Sequence, residues 1–126
     1  MLIAFIDFKD PNHEVAQKIF IDERIVLSPY AFIELDLLIR SGIVVVKDYL
    51  MFWDKLSDVL KHYGVEVIRP KSIHFSRAYE LRTQYNLTYF DSLHAATAIV
   101  EDLELISFNR RAYSGIINLR YRYPKT

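Results

Sequence analysis

With 126 residues, 52% of them apolar and 25% charged, the chain has the composition of one globular domain and not of a disordered segment. Sixteen basic and sixteen acidic side chains cancel, so no broad field draws it to nucleic acid, and the lack of cysteine excludes disulfides and thiolate zinc sites. No apolar run approaches the roughly 20 residues of a membrane span, and the first six residues are too short and too neutral for a signal peptide, so a cytoplasmic protein without a membrane anchor is expected.

Residues 1–6 form a continuous apolar run, as in a strand buried on both faces. Asp7 would then emerge at its carboxyl end; the other reading is that Asp7 starts a turn. Asn12 and His13 belong to the capped start of a helix. Residues 24–27 are a short apolar run, followed by Ser28-Pro29, a cap with proline in the first helical position. That helix should reach Ser41 and end at Gly42. Residues 45–63 repeat apolar side chains at helical spacing (Phe52, Trp53, Leu56, Leu60), with Gly64 as the stop. A strand at 65–68 is closed by Pro70. Ser72 opens a helix to about Tyr85, with Asn86 as a left-handed terminus.

Thr88 is the N-cap of the next helix, and Asp91 stands three residues later, as in a capping box. Ser92, Ala95, Ala96 and Ala98 let another backbone approach that helix closely. Strands follow at 104–107 and 119–123. Strands alternating with helices predict an α/β fold with a mostly parallel sheet covered on both faces.

Two acids stand out. A carboxylate in a first helical turn, as at Asp91, is kept ionised by free N–H groups and the helix dipole, and so can hold a cation; it can also simply cap its helix. Glu34 points away from Asp36 and Arg40, toward Ala31, Leu37 and Leu38, the face expected to be buried. A buried carboxylate is costly unless it is protonated, bound to a metal or paired, in the plainest case with an arginine from another element. Two inward acids at the carboxyl ends of parallel strands suggest a shared site for a hard divalent ion and phosphodiester hydrolysis. Of the histidines, His94 is expected to be an exposed polar residue, and His62 and His74 lack an acidic partner at metal spacing. The nine tyrosines mostly mean core and subunit contacts, although they could stack on bases. From Asn109 to the end there are five basic residues and no acid, so Arg110, Arg111, Arg120 and Arg122 are the candidates for phosphate contact.

The chain resembles the PIN-domain family, small nucleases that include the VapC-type toxins of prokaryotic toxin–antitoxin pairs. The resemblance is carried by Asp10-Pro-Asn-His-Glu-Val-Ala16, Leu27-Ser-Pro-Tyr-Ala-Phe-Ile-Glu-Leu35, Leu87-Thr-Tyr-Phe-Asp-Ser-Leu-His-Ala-Ala-Thr-Ala-Ile99 and Leu105-Ile-Ser-Phe-Asn109. It implies a three-layer α/β/α sandwich over residues 1–126, with an acidic site binding Mg2+ or Mn2+ and RNA as substrate. Matched by motif, Glu34 is the family's helix glutamate and Asp91 the aspartate opening the long helix. Ser107 is the serine ending the strand before the last acid.

The sequence departs from the family in two places. The final acidic position is Asn109, whose carbonyl can bind a metal but brings no charge. The family also opens with a strand ending in an Asp-Thr-Asn type motif, and on this alignment the chain begins after it; Asp7 would stand in for the missing aspartate. The resemblance therefore implies a metal-dependent endoribonuclease, the toxin of a pair with an antitoxin protein, and a homodimer. Glu34, Asp91 and Asp7 would be the ligands, with Asn109 completing the catalytic set, Ser107 supporting it and Arg110 and Arg111 contacting RNA. The alternative is a catalytically impaired module that binds RNA or a partner protein.

Overall fold

A computed structural model describes residues 1–125, which fall into two units, one of Leu2–Ile68 and one from Arg69 onward. Strands expected at 25–27, 65–68, 104–107 and 119–123 are present as two-residue cores: β1 (Val26–Leu27), β2 (Glu66–Val67), β3 (Leu105–Ile106) and β4 (Tyr121–Arg122). Among the described residues they pair in parallel as two two-stranded sheets, β1 with β2 and β3 with β4. No helix among the described residues is long and apolar enough to cross a membrane.

The first unit holds α1 (Leu2–Ile6), α2 (His13–Asp22), α3 (Tyr30–Arg40) and α4 (Tyr49–His62) around the β1–β2 pair. The strand expected at 1–6 is thus corrected: that segment is a helical turn, with the Asp7 amide donating to the Ile3 carbonyl at 2.9 Å. Contacts from distant residues decide this. Phe5 stacks on Phe20 with ring centroids 4.0 Å apart and meets the edge of Tyr63 at 5.5 Å. The His13 ring donates from Nδ1 to the Ala4 carbonyl at 2.8 Å, satisfying an end-of-helix acceptor that a strand would present to a neighbouring strand.

Other boundaries follow local chemistry. Ser28 Oγ accepts the Tyr30 amide at the start of α3, and Gly42 ends it at φ 83°. The start of α4 lies later than expected because Asp48 caps it, accepting the Met51 amide at 2.9 Å. Gly64 then turns the chain at φ 66°. On α3 the inward side chains are Tyr30 and Leu35, whereas Leu37, expected on the buried face, is 48% exposed. The helix is rotated from the expected orientation, because the two best-buried side chains set its inward direction.

The second unit packs α5 (Ser72–Tyr85) against α6 (Tyr89–Val100), followed by the β3–β4 pair and α7 (Arg110–Tyr113). Asn86 closes α5 in the left-handed conformation, φ 56°, and Thr88 Oγ1 accepts the Asp91 amide at 3.3 Å, as the capping box predicts. Ala95 and Ala96 have no exposed surface. Ala96→Leu should therefore overpack the α6 interior and cost about 1–3 kcal/mol in a urea-unfolding measurement, whereas a loss under half a unit would show that this face has room.

His74, which the sequence leaves without an acidic partner, is buried and gains one in Glu101. Its Nδ1 accepts the Lys71 amide at 3.3 Å, so the ring proton sits on Nε2 and is donated to Glu101 Oε2 at 3.0 Å. Lys71 Nζ reaches both oxygens of the same carboxylate at 3.0 Å. The His74 hydrogen bond first, and Lys71 second, hold the Glu101 carboxyl below its ordinary range. A carboxyl lowered in the fold stabilises it above the unfolded value, and that stabilisation is lost as pH falls through the folded one. The melting temperature should thus decline from about pH 4.3 downward, and Glu101→Gln should flatten that part of the profile. An unchanged profile would remove the clamp from the stability account.

Candidate functional site

The second unit brings Asp91, Ser107 and Asn109 together. Thr88 caps α6 and so places Asp91 in its first turn, and β3 delivers Ser107 just past its carboxyl end. The Asn109 amide N–H donates to Ser107 Oγ at 3.1 Å, which tightens the loop between β3 and α7. Asn109 is itself the cap of α7: its Oδ1 accepts the Ala112 amide at 3.4 Å while its Nδ2 donates to Asp91 Oδ2 at 3.3 Å. From the same side of α7, four residues on, the buried Tyr113 hydroxyl donates to Asp91 Oδ1 at 3.2 Å. Sequence reasoning missed Tyr113, though its spacing from Asn109 puts the two on one helical face.

Aromatic side chains support this loop. Tyr121 donates its hydroxyl to the Ser107 carbonyl at 2.7 Å, and burial above all raises its pKa, keeping it a neutral donor. Tyr113 and Tyr121 lie 5.7 Å apart, centroid to centroid. The Arg110 guanidinium sits 4.1 Å from the Tyr123 centroid, leaving its N–H edges open, and Arg111 is exposed. Arg120 and Arg122 are engaged elsewhere, with Asp102 and Glu104, each at 3.0 Å.

The remaining candidates lie in the first unit. Glu34 is half-buried in the middle of α3. Its neighbour Asp36, read as plain surface, accepts the Tyr49 hydroxyl at 2.6 Å, and this bond is the main reason the Tyr49 pKa is raised. Asp7 is exposed after α1, where its Oδ1 accepts the Lys9 amide at 3.0 Å, so it opens a turn instead of ending a strand. A separate, mostly apolar cleft of about 690 Å³ in this unit is lined by Phe5, Phe52, Leu56, Tyr63 and neighbours.

Chemically, Asp91 is a half-buried carboxylate with a neutral donor on each oxygen. The Asn109 amide turns its nitrogen toward Asp91, the reverse of what a shared cation requires. Among the described residues, no three histidine, aspartate or glutamate side chains converge on one point. Within this unit, Asp91 with Asn109 and Tyr113 does not by itself make a site for the magnesium or manganese ion that the resemblance implies. What it does provide is an oriented carboxylate able to accept a proton from a water molecule, at a loop bordered by Arg110.

Comparisons with known proteins identify the family and the fold. The sequence model of the PIN domain matches residues 1–115, running through both units. No curated protein sequence matches the chain. Among solved structures, VapBC2 from Rickettsia felis, bound to a DNA fragment from its promoter, is similar with a TM-score of 0.71 at 21% identity, covering 98% of this chain and 92% of that one. That likeness shows a shared fold. A toxin–antitoxin complex from Klebsiella pneumoniae gives a TM-score of 0.41 at 26% identity, over 56% of this chain and 68% of that one.

Proposed function

The chain belongs to the PIN domain family, and from that premise we propose that it is an endoribonuclease of the toxin type, hydrolysing phosphodiester bonds in RNA. The observation that carries this reading is the convergence of Asp91, Ser107 and Asn109 at the carboxyl end of β3, with Asp91 held in place by Asn109 and Tyr113. In the reaction, a water oxygen attacks phosphorus as the P–O bond to the leaving ribose breaks, and the departing ribose oxygen takes a proton from solvent. Asp91 accepts the water's proton, and Tyr113 and Asn109 keep its oxygens oriented.

PIN domains are generally divalent-metal dependent, so the test incubates the purified protein and single-stranded RNA with magnesium, with manganese and with a chelator. Cleavage in any arm supports the reading, and intact RNA in all three, with the fold verified by circular dichroism, overturns it. Glu34 is proposed as a further acid of the reaction from the resemblance alone; Asp7, whose candidacy assumed a strand where the chain forms α1, is tested beside it, with Glu34→Gln and Asp7→Asn read in the same assay. We take both units to form a single PIN domain, acting in the cytoplasm as a homodimer, with a small antitoxin protein as its partner. The Rickettsia felis neighbour, a VapBC complex by its description, supports the partner; the exposed Ile43, Val45 and Leu50 supply apolar surface for contacts.

A second reading is favoured by one specific observation. Both Asp91 oxygens are already hydrogen-bonded to neutral donors, and the last acidic position is an amide, as in a module that has kept the fold and lost the catalysis.

A further inference from the structure

Where α5 meets the start of α6, a cation and two aromatic rings are not used by the proposed chemistry: Tyr79 and Arg82 belong to α5 and Tyr89 to α6. Arg82, on the last turn of α5, is half-buried, and its Nη1 donates to Ser92 Oγ at 2.9 Å. Ser92 has no exposed surface; its own hydroxyl proton goes to the Tyr89 carbonyl at 2.6 Å. The guanidinium is thus pinned to the first turn of α6. Its central carbon lies 5.1 Å from the Tyr89 ring centroid and 5.8 Å from that of Tyr79. Both rings remain open, Tyr79 at 63% and Tyr89 at 50% exposure. Among the described residues no carboxylate pairs with Arg82, so four of its five N–H donors are left for a ligand.

A fixed cation with unused donors, flanked by exposed aromatic faces, matches an unpaired nucleotide: phosphate for the guanidinium, a base face for the ring. A folded protein partner would more commonly meet a continuous apolar patch. The position matters as well, because Ser92 is the residue after Asp91 and lies about 100° further round the same helical turn. A strand of RNA crossing the start of α6 would run from this platform to the carboxylate.

We infer that Tyr79, Arg82 and Tyr89 form a stacking platform that seats one nucleotide of single-stranded RNA beside Asp91. This rests on the RNA-cleaving reading above and names how that substrate is held.

The test uses Asp91→Asn protein, so that RNA survives, and an oligouridylate carrying a single 2-aminopurine whose fluorescence is quenched on stacking. Quenching should be strong, and Tyr79→Leu and Tyr89→Leu should each weaken binding about tenfold and restore fluorescence. Arg82→Gln should lower the magnitude of the slope of log affinity against log salt by about 0.7, the value for one phosphate contact to a single strand. Melting temperatures separate these effects from misfolding; the two tyrosine variants, altered at exposed positions, should melt like their parent. Unchanged affinity and quenching in the double tyrosine variant would overturn the platform, and so would a folded Asp91→Asn protein that binds no RNA. Loss of binding to a protein partner, with RNA binding intact, would also overturn it. Cleavage by the unsubstituted chain is scored separately, so the platform can fail while the nuclease reading stands.

Discussion

Asp91→Asn is expected to lower RNA cleavage by at least about a hundredfold, the usual scale for removing a positioned acid–base group. Asparagine has the same shape and can still accept the Tyr113 hydrogen bond, but it cannot take a proton from water or carry negative charge. Its amide nitrogen would also compete with Asn109 Nδ2, whose present acceptor is Asp91 Oδ2. Stability should change little, since a carboxylate in a first turn contributes about 0.3–1 kcal/mol through the helix dipole. Initial rates on a labelled single-stranded RNA, beside a melting curve for each protein, provide the check. A variant that folds and cleaves at the native rate would remove Asp91 from the chemistry.

Asn109→Asp should have the second large effect, in the opposite sense for ion binding. The substitution replaces a donor to Asp91 with a second carboxylate, and two like charges about 4 Å apart repel by about 1–4 kcal/mol between water and a partly screened surface. The loop should therefore be destabilised in a chelator, with a lower melting temperature than the native chain. A divalent cation between two carboxylates reverses that repulsion. Manganese should stabilise Asn109→Asp much more than the native protein, by about 2.7 kcal/mol once the ion stands at a hundred times its dissociation constant, and so raise its melting temperature further. Equal stability in chelator, or no difference in response to manganese, would mean that the amide is not what disfavours an ion here.

The two substitutions also separate the readings of function. If Asn109→Asp gains cleavage that the native chain lacks, the amide is the residue that silences the site. If the native chain cleaves and Asp91→Asn does not, the oriented carboxylate suffices.

Much of the local structure could be read from the sequence because its causes lie within one helical turn. Thr88 and Asp91 are three residues apart, and their hydrogen bond forms once the turn does. Gly42, Gly64 and Asn86 mark helix ends because the left-handed backbone they adopt is steeply penalised for most other residues. The parallel pairing of short strands follows from their alternation with helices, which leaves room for a crossover and not for a tight hairpin. The place of Asp91 in the first turn of α6 was likewise visible, since the cap that positions it is its own neighbour.

What the tertiary structure decided are interactions between residues far apart in the chain. Residues 1–6 are apolar enough for a buried strand or a buried helix, and periodicity cannot separate the two over so short a run. Phe20, Tyr63 and His13 settle the choice, by ring contact and by capping the Ala4 carbonyl. His74 and Glu101 stand 27 positions apart, and Asp91 meets Asn109 and Tyr113 across 18 and 22. A hydrogen bond requires its atoms within about 3 Å. Sequence can supply a donor and an acceptor of the right chemistry, but only the packing of α5, α6 and α7 brings them within that distance.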